Sequence, residues 1–169
     1  MQRWLFGREL EKLDDRTVFY LDECGVAHRL HREYGRAPRG QRIYQAVAGQ
    51  RRARTSIIAA AQHNKLVAPW VFQGHCNTEV VDVYFEQVLL PALPPGSVIV
   101  LDNARFHQSP PTQKLVAAAG CQLLFLPPYA PDLNPIEHRW AAFKTYLRQG
   151  LATASNPFLF IANMSLCYC

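Results

Sequence analysis

Val98-Ile99-Val100-Leu101 is an unbroken apolar run of strand length, opened by Ser97 and stopped by an acid, Asp102. A strand without polar alternation is buried on both faces, as happens inside a parallel or mixed sheet. Cys121 to Leu126 is a second run of this kind. Between them, residues 111–119 read as a helix stopped by Gly120. Two buried strands joined by a helix form a parallel pair with a right-handed crossover.

The other segments add a second kind of pairing. Thr17 to Leu21 is rich in strand formers and ends in Asp22-Glu23. Thr55 to Ala61 and Leu66 to Phe72 read as strands joined by a hairpin turn at Asn64-Lys65, with Gly74 closing the second. Val80, Val81, Tyr84, Phe85, Val88 and Leu89 recur at helical spacing after a cap at Asn77 or Thr78. Pro91, Pro94, Pro95 and Gly96 end that helix.

Asn134 suits a helix cap, Pro135 the first helical position and Glu137 the third. Ile136, Trp140, Phe143 and Leu147 give the helix that follows an apolar face as far as Gly150. Lys144 and Arg148 are placed on another face, to meet phosphate or simply solvent. A short amphipathic helix or frayed lead-in is expected over residues 1–15, and a closing helix after Pro157. The 169 residues suit one α/β domain: a mixed sheet with helices on its faces.

Charge narrows the function. The net charge is +5, and eight arginines with one acid, Glu33, lie between Arg29 and Arg54. Arg36, Arg39, Arg42, Arg51, Arg52 and Arg54 are the candidate phosphate contacts, since a guanidinium fork grips phosphate in two places. A solvated basic surface is the plainer alternative. Five cysteines form no CxxC pair, which fits a reduced, cytoplasmic chain. No secretory leader opens the sequence, and no apolar run is long enough to span a membrane.

Two strands end in acids, Asp22 and Asp102. Parallel and adjacent, they would set both carboxylates at one sheet edge, where ligands of open α/β sheets gather. Glu137, on the first turn of a later helix, can reach the same edge. Three convergent carboxylates are hard oxygen ligands suited to Mg²⁺ or Mn²⁺. Two such ions support in-line phosphoryl transfer. Each acid also has a plainer role: Asp22 as a solvated strand end, Asp102-Asn103 as a turn, Glu137 as a capping-box partner of Asn134.

Three strings go further. They are Tyr20-Leu21-Asp22-Glu23, the stretch Val100 to His107 (VLDNARFH) and the stretch Leu126 to Glu137 (LPPYAPDLNPIE). Together they closely resemble the acid-bearing motifs of DDE transposases of the mariner-like superfamily, in its bacterial insertion-sequence branch. Thirty-four residues separate Asp102 from Glu137, as in that superfamily. The proline-rich loop is the most specific string, and the resemblance covers roughly residues 16–150.

The resemblance implies a ribonuclease H-like fold with a five-stranded sheet, three strands antiparallel and the others parallel. It implies two Mg²⁺ or Mn²⁺ ions on Asp22, Asp102 and Glu137. It implies cutting at transposon ends and transfer of the freed 3′-hydroxyl into target DNA, at a TA step that deforms cheaply. Asn103 and His107 are expected beside the metals, touching DNA or steadying Asp102. Asn134 is expected to cap its helix and fix Glu137, and Trp140 to lie in the core.

Family members carry N-terminal helix-turn-helix modules and usually act as homodimers on DNA near the nucleoid. No such module is expected here, since only about twenty residues precede Asp22. A separately encoded or frameshift-joined module, a degenerate element and an excised domain all fit. Two other functions compete: another ribonuclease H-like nuclease, and a non-catalytic DNA-binding remnant.

Overall fold

The structure is a computed structural model that describes residues 2–13, 17–27, 36–42, 44, 54–63, 65–150 and 154–167. Among them, five strands form one sheet: β1 (Val18–Ala27), β2 (Arg54–Gln62), β3 (Lys65–Gln73), β4 (Val98–Leu101) and β5 (Gln122–Phe125), in the order β3-β2-β1-β4-β5. β3, β2 and β1 pair antiparallel, whereas β1–β4 and β4–β5 pair parallel. The sheet is therefore mixed, as expected.

Helices cover both faces. α1 (Gln2–Leu10) opens the chain. α2 (Thr78–Tyr84) runs on through a π-helical stretch, Phe85–Leu89, into the single turn α3 (Leu90–Ala92). α4 (Pro110–Ala118), α5 (Ile136–Gly150) and α6 (Pro157–Cys167) complete the set. Asn77 Oδ1 accepts from the Val80 N–H, and this bond begins α2. Ser109 Oγ does the same for α4, accepting from Thr112 N–H.

Strand alternation divides the core. On one face Phe19, Leu21, Ile58, Ala60, Ile99 and Leu101 meet Val81, Tyr84, Phe85 and Leu89. On the other, Cys24, Val26, Ile57, Ala59 and Ala61 meet Ile136, Trp140, Phe143 and Leu147 of α5 and Ile161 of α6. Phe6 of α1 packs with Val18, Val100 and Leu126. Val98, Ile99, Val100 and Leu101 are all buried, as an alternation-free run requires.

Two expectations are corrected. The first strand does not stop at Asp22-Glu23. It continues to Ala27, because β2 pairs with it over Tyr20 to Ala27. Only the β4 pairing stops early, at Tyr20–Val100. Continued two residues, that parallel register sets Asp22 level with Asp102. α1 is also less amphipathic than expected: it buries Phe6 but leaves Trp4 and Leu5 exposed. The Asn64 half of the expected hairpin turn lies outside the described residues.

Candidate active site

Asp22 and Asp102 reach one edge because β1 and β4 run parallel, and Glu137 joins them from the first turn of α5. All three line a single cavity of about 230 Å³, walled by the proline-rich loop. Asn134 carries α5 to that edge. Its Nδ2 donates to the Leu21 carbonyl at 3.3 Å, and its Oδ1 accepts from Ile136 N–H at 3.3 Å. Its carbonyl also accepts from Glu137 N–H at 3.2 Å. One buried asparagine thus starts the helix and ties it to the strand bearing Asp22.

The proline loop is held from outside. Arg3 of α1 pairs with Asp132. Tyr129 takes a left-handed backbone, φ 54°, and its ring is fully exposed beside the cavity. Asn103 also lines the cavity, but its side-chain N–H donates back to the Leu126 carbonyl at 2.8 Å. That bond joins the ends of β4 and β5.

The acids have different surroundings. Burial pushes the Asp22 carboxyl up to about 7, and the charges of Glu23, Glu137 and Asp102 add to the rise. A hydrogen bond from the Glu23 backbone opposes them. Trp140 Nε1–H also donates to Asp22 Oδ2, at 3.0 Å. Asp102 moves the other way. The hydrogen bond from His107 holds its carboxyl below the usual range, against partial burial, with Ala104 N–H helping.

His107 is fully buried. Its Nδ1 lies 2.6 Å from Asp102 Oδ1, and its Nε2 lies 2.5 Å from Glu23 Oε1. Carboxylate oxygens only accept, so both ring nitrogens donate and the imidazole is a cation. Burial alone pulls its pKa down. The hydrogen bonds to Asp102 and Glu23, and their charges, outweigh burial and raise it to about 9.

Two carboxylates and a glutamate facing one cavity suit a hard divalent cation. Burial first, and then the charges of Glu23, Glu137 and Asp102, disfavour the ionised Asp22, so a cation beside it would be welcome. The donor set therefore fits Mg²⁺ or Mn²⁺. Among the described residues, no three His, Cys, Asp or Glu side chains are gathered closely enough to hold an ion as they stand.

The candidate DNA-contacting arginines divide. Arg36, Arg39 and Arg42 are exposed. Arg51 and Arg52 lie outside the described residues. Arg54 starts β2, and its guanidinium lies across Gly25, where a Cβ would stand 2.1 Å from it. Lys144 stands seven residues after Glu137, nearly two full turns, so it shares that side of α5, near the Cys24 thiol of β1.

Sequence reasoning missed two partners. Trp140 lies in the core as expected, yet its indole N–H also reaches Asp22. Glu23 was noted as a strand-end acid and as part of the first acid-bearing string, without a role of its own. Strand alternation sends it to the face opposite Asp22, where it meets a histidine 84 residues away that no local pattern pointed to.

The chain belongs to the DDE superfamily endonucleases, whose family model matches residues 17–156. A curated relative is an uncharacterized protein, y4pE/y4sA, of Sinorhizobium fredii. It is 34% identical over 68 residues, which are 39% of this chain and 47% of the relative. Among solved structures, the Mos1 transposase paired-end complex with left transposon end matches with a TM-score of 0.66 at 16% identity, over 98% of this chain and 57% of that one. The catalytic domain of Mos1 mariner transposase matches with a TM-score of 0.56 at 15% identity, over 98% and 85%. The likeness establishes a ribonuclease H-like transposase catalytic-domain fold. The chain spans about half the length of the curated relative and of the paired-end transposase. Among the described residues, no helix is long and apolar enough to cross a membrane.

Proposed function

We propose that the chain is a single ribonuclease H-like catalytic domain of a DNA transposase. It cleaves DNA strands at transposon ends and joins the freed 3′-hydroxyl to target DNA. The observation that carries this reading is the convergence of Asp22, Asp102 and Glu137 on one cavity at the carboxyl edge of the sheet. They come from three separate segments and repel one another, an arrangement that a bound cation would stabilise.

Asp22, Asp102 and Glu137 are the residues that would hold two Mg²⁺ or Mn²⁺ ions. When bound, such ions help a water or 3′-hydroxyl attack and offset the extra negative charge of the phosphorus. Mos1 mariner paired-end complexes have been solved with Mn and with Mg, which supports that choice of metal. Asn134 orients Glu137 by fixing the start of α5, and Asn103 keeps the cavity wall closed against β5. Trp140 and His107 hold Asp22 and Asp102 from behind.

The DNA partner follows from the same kinship and from the basic segment. Arg36, Arg39 and Arg42 offer exposed guanidinium groups to phosphate, and Arg51, Arg52 and Arg54 extend the same stretch of sequence. Pairing of two ends calls for two copies acting together in the cytoplasm, beside the nucleoid. Recognition of end sequences falls to a helix-turn-helix module, encoded with the chain or apart from it, and TA steps suit the target.

Nicking of supercoiled plasmid, with Mn²⁺ or with a chelator, tests the reading. Wild type should nick only with the ion. Asp102→Asn should lose roughly 10³-fold or more, the effect of several kcal/mol of lost transition-state stabilisation, while still retarding DNA in a gel. Undiminished nicking by Asp102→Asn would overturn the assignment. DNA retardation without any nicking by wild type would favour a non-catalytic remnant.

A further inference from the structure

Glu23 neighbours Asp22 in sequence but points to the other face of the sheet. Its side chain is only 15% exposed. A carboxylate so placed needs partners, and it has two. His107 Nε2–H donates to its Oε1 at 2.5 Å, and the Cys76 thiol lies beside it. The imidazole therefore stands clamped between Glu23 and Asp102, with no exposed surface of its own.

The clamp acts on one oxygen of Asp102. Oδ1 accepts both His107 Nδ1–H, at 2.6 Å, and Ala104 N–H, at 3.0 Å. No hydrogen bond among the described residues reaches Oδ2. A carboxylate held by one oxygen cannot swing away, and its other oxygen remains available to a cation. Without Glu23, His107 could tilt off this line, since nothing else is bonded to Nε2 among the described residues.

We propose that Glu23 is a positioning residue: through His107 it fixes the Asp102 carboxylate for the divalent cation. The inference rests on the assignment of Asp102 as a metal ligand. Glu23 itself does not touch the cation. It orients a ligand at one remove, as outer partners of metal-bound residues commonly do.

Calorimetric titration of Mn²⁺ into the protein bound to a DNA duplex tests it. The variants are Glu23→Gln, His107→Asn, the double substitution and Asp102→Asn, each checked for folding by circular dichroism. Glu23→Gln and His107→Asn should each weaken Mn²⁺ about 10–100-fold. The double variant should lose no more than the worse single one, because the two act as one unit. In the nicking assay, Glu23→Gln should need more Mn²⁺ for half-maximal rate yet approach wild-type rate at saturation. A merely structural glutamate would lower that ceiling or leave the Mn²⁺ dependence alone.

The outcomes separate the two claims. If Asp102→Asn weakens Mn²⁺ while folded Glu23→Gln and His107→Asn bind as wild type does, the positioning role is wrong and the metal site stands. If wild type binds no Mn²⁺ with DNA present, both fall. Should His107→Asn fail to fold, Glu23→Gln, with nearly unchanged shape, still decides the matter. Additive losses in the double variant would also overturn the role, since they would mean Glu23 does not act through His107.

Discussion

Asp22 and Asp102 stand level at the ends of neighbouring parallel strands, but the chain treats their charges in opposite ways. Asp102 meets a buried imidazolium that is itself backed by Glu23. Asp22 meets an indole N–H, one backbone N–H and three other acids. One carboxylate is held ionised, and the other is driven toward its neutral form. The difference lies in which segment packs beside each carboxylate. On one side the extension after β4 carries His107 under the sheet edge. On the other, α5 brings Trp140, which offers a dipole and no charge. Within the metal-free protein, the Asp102 side is electrostatically complete and the Asp22 side is strained.

The largest test of this contrast removes the cation from the completed side. His107→Leu leaves Glu23 and Asp102 facing each other without it. Breaking a buried ion pair from one side costs about 3–5 kcal/mol, so urea should unfold this variant at a clearly lower concentration. A midpoint within error of wild type would mean the imidazole is not charged.

Asp22→Asn should have the opposite sign. Neutralising the strained side should stabilise the metal-free protein by about 1–2 kcal/mol at pH 8, a discounted share of the roughly 1.4 kcal/mol per pKa unit. The folded carboxyl titrates above its unfolded value, so its stabilising protonated form is complete at low pH. That stability is lost as pH rises from about 4 through about 7. The advantage of Asp22→Asn should therefore grow across that window and level off above it. A pH-independent difference would show that the fold does not disfavour the Asp22 charge.

Trp140→Phe carries the contrast to the donor on the Asp22 side. It keeps an aromatic ring against Phe143 but deletes the donor to Asp22 Oδ2. A hydrogen bond to a charged group contributes about 1.5–3 kcal/mol when the acceptor is ionised. Because Asp22 titrates near 7, the loss seen by thermal denaturation should be clearer at pH 8 than at pH 5. Equal losses at both would assign the cost to packing alone.

Much of this arrangement was legible in the residues. Alternation-free Val98 to Leu101 marked the centre of the sheet, and the acid after it marked the edge. Asn134, Pro135 and Glu137 announced the start of α5. The length of β1 was not legible, since its end depends on a partner strand that returns only after the arginine-rich stretch. The clamp on His107 was hidden for a similar reason. Glu23 lies 84 residues before it in the chain, and no local pattern records a contact made by tertiary packing. Lys144 was read on a face apart from the apolar stripe, and the relation left undrawn was to Glu137: seven residues make nearly two turns, so the two share one side of the helix.

Asn134 has a consequence for the order in which the molecule becomes competent. A chain emerging from the ribosome delivers Asp22 early, Asp102 much later and Glu137 last. Domains fold during synthesis as their segments appear, and α5 can seat only when Asn134 finds the Leu21 carbonyl of a strand already in its sheet. The cavity is therefore completed only once the segment that bears Glu137 has been made and docked. A product terminated before α5 would carry the basic stretch and two of the acids but no third. It would leave the cavity without the wall that Asn134 and Glu137 supply.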